Sequence, residues 1–180
     1  GKIETMTSAE IALVRTKKSG QPLSYLEEVF DFLKDKKDAF IQVEIKCGKY
    51  SDADLAEMCA IATEMVRQRI NPANVIFICS NPLVLQKIKD LNPQQQTCLV
   101  SSAVNEEVIK TALEVHAEMV SVKIDNLYCN FVKEAHKKRL KVTTWAVSDL
   151  REAQLAILFG VDYVATDMPA KQLEQKTARP

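Results

Sequence analysis

Short apolar, β-branched runs alternate along this chain with longer segments in which apolar residues recur every three or four positions. A period of two, or a brief unbroken apolar run, marks a strand, whereas a period near 3.6 marks a helix with one buried stripe. Strands are predicted at Phe40 to Lys46, Val75 to Cys79, Thr97 to Val100, Met119 to Ile124, Lys141 to Trp145 and Asp162 to Ala165. Their starts are spaced by 35, 22, 22, 22 and 21 residues. Each interval has room for one strand, one helix and two short loops, which is a β-α repeat.

The intervening segments carry helix chemistry as well as length. Ser51 to Asp54 can cap a start, and Leu55, Met58, Cys59, Ala62, Met65, Val66 and Arg69 follow with a 3-4 period that is apolar until its last member. That stripe is expected to pack on a sheet. Thr7-Ser8-Ala9-Glu10 and Ser24-Tyr25-Leu26-Glu27 both fit the S/T-x-x-E capping box, so helices lead the chain. Asn81 serves as an N-cap with Pro82 in the first turn, and that helix runs to about Lys89. Later helices are predicted at Asn105 to Val115, Asn126 to Lys137 and Asp149 to Phe159, with Gly160 at the left-handed C-terminal position.

Six parallel strands with crossover helices allow a doubly wound sheet or a (β/α) barrel. Only four glycines occur, at 1, 20, 48 and 160, with no G-x-G-x-x-G and no Walker pattern, so a nucleotide-binding sheet is disfavoured. The even spacing favours an α/β fold of the TIM-type (β/α) barrel, in a single domain over residues 1–180. A complete eight-stranded barrel takes roughly 250 residues. The chain is therefore expected to hold about six of the eight β-α units and to be N-terminally incomplete.

Composition narrows the function classes. Lys and Arg number 24 against 24 Asp and Glu, so nothing basic invites a phosphate backbone and no nucleic-acid partner is expected. The longest apolar runs fall far short of the ~18–20 residues that span a bilayer, so no membrane span is expected and the chain reads as soluble. The compartment stays open, because Gly1 is not an initiator Met. Cys47, Cys59, Cys79, Cys98 and Cys129 form no C-x-x-C pair and have no His at ligand spacing. They read as core packing in a reducing environment.

In a parallel barrel, reactive groups gather at the C-terminal ends of the strands. The first strand is the most informative. Its period of two places Ile41, Val43 and Ile45 on one face and Phe40, Gln42, Glu44 and Lys46 on the other, and that polar face becomes ionic only at its end. A carboxylate and an ammonium about 6–7 Å apart along a strand face suit a hard cation beside a phosphate. The same two residues read equally as an internal ion pair filling the barrel. Lys123, sharing a face with Ser121, is a second candidate anion ligand or a solvated Lys at a strand end. Trp145, the only Trp, can wall a pocket or fill the core. Ser80 and Asp167 lie just past their strands, and Asp167 can equally cap a final helix. His116 and His136 lie away from the strand ends, so neither is expected to act as a general acid or base.

Several strings are similar, in order and separation, to those of the glycerophosphodiester phosphodiesterase family. Val43-Glu44-Ile45-Lys46 resembles its V/I-E-I-K strand, and Trp145-Ala146-Val147-Ser148-Asp149 resembles its W-T-V-N-x segment. Gly160 to Pro169 resembles its G-V-D-x-I-x-T-D-x-P ending. Pro22 to Val29 is similar to its I-P-T-L-E-E-V helix start, with two extra residues, and Cys79-Ser80-Asn81-Pro82 to its S-S-F-x-P turn. The resemblance implies hydrolysis of glycerophosphodiesters to glycerol 3-phosphate and an alcohol, with a divalent cation such as Mg or Ca. It further implies that Glu44 is a metal ligand, that Lys46 lies close to the phosphate, and that Trp145 lines the substrate pocket. Departures are Arg139 where a Gly is usual, Ala146 for Thr, and no counterpart to the Phe of the S-S-F turn.

The family's H-R-G strand, its P-E-N-T turn and its E-x-D strand with a following His do not occur in this sequence. Those motifs supply the acid/base histidines and the remaining metal carboxylates, so the catalytic residues are not identified here. By itself the chain is expected to turn over negligibly, because one Glu cannot hold a cation that takes about six oxygen ligands. The alternative expectation is a non-catalytic partial barrel that binds or self-assembles, forming a homo-oligomer through its exposed strand edges.

Overall fold

The computed structural model describes residues 3–36 and 40–168. Two helices precede the sheet, α1 (Ser8–Leu13) and α2 (Leu26–Leu33). α1 has the capping box predicted at Thr7: the Thr7 hydroxyl accepts from the Glu10 N–H at 3.3 Å, and the Glu10 carboxylate accepts from the Thr7 N–H at 2.7 Å. α2 starts one residue later than its motif suggested. The chain stays extended through Tyr25, so Ser24 sits too early to cap, and the Glu28 carboxylate accepts the Tyr25 N–H at 2.9 Å instead.

The repeat then begins: β1 (Ile41–Glu44), α3 (Asp52–Arg69), β2 (Val75–Cys79), α4 (Pro82–Leu91), β3 (Gln96–Ser101) and α5 (Glu106–Glu114). It continues through β4 (Met119–Lys123), α6 (Cys129–Lys137), β5 (Lys141–Val147), α7 (Leu150–Phe159) and β6 (Tyr163–Thr166). Ser51, Asn81, Asn105 and Asp149 each cap the helix predicted for them, their side chains accepting from backbone N–H groups in the first turn. Gly160 closes α7 at φ +80°. Several strand ends shift by a residue, β1 shortens from the predicted Phe40 to Lys46 to Ile41–Glu44, and two further boundaries differ from expectation. The helix predicted from Asn126 is split into a short 3-10 turn at Ile124–Asn126 and α6 from Cys129, with the Asn126 side-chain amide donating to the Ser102 carbonyl instead of capping. β5 runs two residues past Trp145, because its pairing with β6 is irregular between Thr144 and Val147.

The six strands are parallel and pair in chain order, β1 to β6. Together they form a curled half-barrel, the TIM-type α/β architecture. Curling follows from what the edges share. In a flat sheet, β1 and β6 would lie roughly 24 Å apart, five inter-strand spacings. Here Phe40 and Gln42 from the first strand region line one hollow of about 210 Å³ with Tyr163, Val164 and Ala165 from the last.

Side-chain alternation gives the two faces different company. The helix-facing row runs across neighbouring strands through Val43, Phe77 and Thr97, and at the next level through Cys79, Leu99, Val120 and Val142, all buried. These join the main core with Val84, Leu85 and Ile88 of α4 and Phe131 of α6. α3 contributes Leu55, Cys59 and Val66 to the same core, and packs between α2 and α4. Its terminal Arg69 leaves the stripe to bond Asp31 at 2.8 Å and Glu27 at 3.4 Å on α2. The concave face holds only a small apolar cluster, Ile76, Cys98 and Met119 with Ile78 beside it. Among the described residues no helix is long and apolar enough to cross a membrane.

One buried cation supports this packing. Lys89 of α4 is 6% exposed and pairs with Glu118, whose other carboxylate oxygen accepts from the Thr97 N–H at 2.8 Å. A single carboxylate thus fastens a helix to the start of two strands.

Two stability predictions follow from these contacts. Phe77→Ala, which empties a fully buried position, is expected to destabilise the fold by about 3–5 kcal/mol in urea unfolding. Glu118→Ala strands the Lys89 ammonium without its partner and is expected to cost about 2–3 kcal/mol. The double change Lys89→Met with Glu118→Ala should recover most of that loss, and failure to recover would show that the charge is not the cause.

Candidate active site

The C-terminal ends of the strands carry the residues singled out from sequence, in two groups. On β1 the alternation holds as expected: Val43 and Ile45 are buried, while Gln42, Glu44 and Lys46 are not. Lys46 Nζ lies 2.5 Å from Glu44 Oε1, so the structure brings these two together. The Lys46 and Glu44 side chains are 79% and 38% exposed, which makes theirs an open ion pair at the rim. Such a pair contributes at most about 1 kcal/mol, and each member is available to another partner.

The second group lies on β4 and β5. Lys123 and Trp145 are directly paired positions on these strands. Lys123 Nζ lies 2.5 Å from Asp125 Oδ2. Trp145 is half-buried, and among the described residues nothing accepts a hydrogen bond from its buried indole N–H. A buried donor of this kind is normally matched. β2 and β3 stand between the two groups, and no hydrogen bond or ion pair among the described residues joins them.

Asp125 was missed by sequence reasoning. The signal that found Glu44 and Lys46 would have found it, since Lys123 and Asp125 repeat the same opposite-charge spacing of two residues at a strand end. Ser80 is exposed after β2, on the border of a hollow of about 250 Å³ shared with Leu99, Ser101 and Asn105. Asp167 is exposed just past β6, and the final helix it was expected to cap lies outside the described residues. Neither histidine enters the mouth. His136 bonds Asp162 Oδ2 at 2.9 Å, and that oxygen also accepts the Val142 N–H at 2.7 Å, so the pair links α6 to the base of the last two strands. His116 follows α5 in the left-handed region at φ +54°.

The cysteines divide by burial. Cys59, Cys79 and Cys98 are buried, and burial pushes each thiol up from its ordinary range. Cys47 and Cys129 are half-buried. Cys47 and Cys79 sit just past β1 and at the end of β2, with their sulfurs 3.1 Å apart.

A divalent cation has no complete site within this arrangement. Among the described residues no group of three or more His, Cys, Asp and Glu side chains could hold a metal. Glu44 offers one carboxylate where a hard cation takes about six oxygens. The residues present do not by themselves fit the group.

Comparison with known proteins places the chain. None of the curated proteins matches it. A solved glycerophosphodiester phosphodiesterase from Parabacteroides distasonis superposes with a TM-score of 0.85 at 18% identity, covering 97% of this chain and 74% of that one. A glycerophosphodiester phosphodiesterase from Thermotoga maritima gives 0.63 at 18% identity, over 87% of this chain and 64% of that one. An Oleispira antarctica phosphodiesterase, solved with its product sn-glycerol 3-phosphate, gives 0.68 at 18% identity, over 78% of this chain. This chain spans only 56% of that protein's length. These likenesses fix the fold. The model of the glycerophosphoryl diester phosphodiesterase family matches residues 1–171, and with nearly the whole sequence so matched, the chain belongs to that family.

Proposed function

We propose that this chain forms the larger part of a glycerophosphodiester phosphodiesterase, which hydrolyses its substrate to glycerol 3-phosphate and an alcohol with a divalent cation, Mg or Ca. The observation that carries this reading is the match of the family model over residues 1–171, in a chain that sets acidic and cationic side chains at the mouth of a half-barrel. In this reading Lys46 and Lys123 attract the phosphodiester anion from opposite sides of the mouth, each exchanging a solvated carboxylate partner for a phosphoryl oxygen. Trp145 walls the substrate between them, and its indole N–H gains an acceptor when the pocket fills. Glu44, released by Lys46, offers its carboxylate toward the cation. A cation held by Glu44 together with carboxylates outside these residues would supply Lewis-acid chemistry to the phosphate.

The acid/base histidines and the other metal carboxylates of the family are not among these 180 residues. Turnover on this reading therefore needs those groups from polypeptide outside them. A second reading is favoured by the lack of a complete metal cluster among the described residues. It is a non-catalytic partial barrel that pairs edge to edge with another copy.

Both are tested by following glycerophosphocholine hydrolysis by the full-length protein. The expected outcome is release of glycerol 3-phosphate with Mg or Ca and none after chelation. Glu44→Gln is expected to lower kcat/KM by about 100-fold or more, the scale of losing a group that stabilises transition-state charge. Lys46→Ala should lower it by about tenfold. Full activity in Glu44→Gln would remove that residue from the site. A folded but inert protein that sediments as a dimer would replace this reading with the second.

A further inference from the structure

The mouth contains a feature that phosphodiester hydrolysis does not use. Cys47 and Cys79 end successive stretches of chain, and the backbone pairing that continues past β1, with the Ile45 N–H on the Ile78 carbonyl at 3.0 Å, holds them side by side. Their sulfurs are 3.1 Å apart, shorter than ordinary contact between two sulfur atoms. Cys79 donates its thiol hydrogen to the Ile45 carbonyl at 3.1 Å and receives the Asn81 N–H at 3.4 Å. With that hydrogen committed, a Cys79 lone pair faces the Cys47 sulfur. Exposure separates the two: Cys79 is 1% exposed, whereas Cys47 is only half-buried and reachable from solvent. Among the described residues neither of the other buried thiols hydrogen-bonds a second sulfur: Cys59 approaches the Val84 carbonyl at 3.9 Å and Cys98 the Leu99 carbonyl at 4.0 Å.

We propose that Cys47 and Cys79 are a peroxide-oxidisable dithiol, Cys47 being the thiol attacked first and Cys79 the one that resolves it into a disulfide across the ends of β1 and β2. In the first step the Cys47 thiolate attacks the peroxide: an S–O bond forms, the O–O bond breaks, and an alkoxide or hydroxide leaves, taking up the proton that the Cys47 thiol released to become alcohol or water. Cys47 is then a sulfenic acid. In the second step the Cys79 sulfur attacks the Cys47 sulfur, forming the S–S bond and breaking S–O. The departing hydroxide takes the Cys79 proton as water. Two thiols are oxidised by two electrons and one peroxide is reduced. Burial, and then the Cys47 sulfur itself, hold the Cys79 thiol protonated, which keeps it from reacting with peroxide directly; its attack on Cys47 relies on the short distance between the sulfurs and on loss of its proton to the departing hydroxide. The bridge would fasten the segment that follows β1 to the end of β2, and would close residues 47 to 79 into a covalent ring.

The test is treatment of the reduced protein with hydrogen peroxide at neutral pH, followed by alkylation under denaturing conditions and peptide mapping by mass spectrometry. The expected result is a linked peptide pair containing Cys47 and Cys79, loss of two alkylatable thiols, a raised Tm and full reversal by dithiothreitol. In Cys79→Ser the Cys47 sulfenic acid should persist and be trapped by dimedone. Because the wild-type map needs no variant to fold, it decides the matter alone. Recovery of both residues alkylated, a bridge to a different cysteine or between two copies, or Cys47 driven on to sulfinic acid in the wild type would each overturn the proposal. None of these readouts depends on phosphodiester hydrolysis.

Discussion

The structure depends on a parallel sheet having two faces in different environments and side chains that alternate strictly between them. Helices cover the convex face, so alternate residues such as Val75, Phe77 and Cys79 of β2 and Val120 and Val122 of β4 are driven into a close-packed core. The intervening residues are thereby committed to the concave face, whatever their polarity. A slip of one residue in β1 would exchange the two sets, placing Glu44 among the side chains of the helix layer and Val43 in the mouth. Burial of Val43 and Ile45 is thus what aims Glu44, and the placing of acidic and cationic side chains at the rim rests on hydrophobic register more than on any polar contact they make.

The ion pairs illustrate this division. Lys89 is buried, where an unmatched charge is costly, and its half-exposed partner Glu118 is also held by the Thr97 N–H, so this pair serves the fold. Glu44 with Lys46, and Lys123 with Asp125, lie at the open rim, where water screens the attraction and each partner is replaceable. A phosphate or a cation can compete for groups of the second kind and not for the first. The same two residue types in contact therefore do opposite work according to which face of the sheet they occupy.

Most of the fold was legible in the sequence because strands buried on one face read as short apolar runs, and because Ser51, Asn81, Asn105 and Asp149 mark helix starts by a local rule. Errors fell where geometry outside the motif decided. Ser24 has the right residue type, but extended backbone through Tyr25 moves the start of α2. Asn126 has cap chemistry but is held by the Ser102 carbonyl on the neighbouring loop. In the site, Glu44 and Lys46 were readable because the period of two operates within a single strand. The juxtaposition of Cys47 with Cys79, and of Lys123 with Trp145, depends on which strands are neighbours. No local pattern contains that, and it becomes visible only once the strand order and register are known.

Closure of the ring matters for chemistry as well as for fold. Electrostatic stabilisation of a developing charge is strong where water is excluded and weak where it is not. In the half-barrel the rim groups are already positioned by the sheet, yet Lys46 is 79% exposed and works against high dielectric. Among the described residues no strand pairs with the outer edges of β1 and β6, which are also places where further strands can add. Strands that completed the ring would bury those edges and dry the mouth together. Positioning of the rim charges and exclusion of water around them are therefore separable in this architecture: six strands suffice for the first, and the second depends on how far the ring is closed.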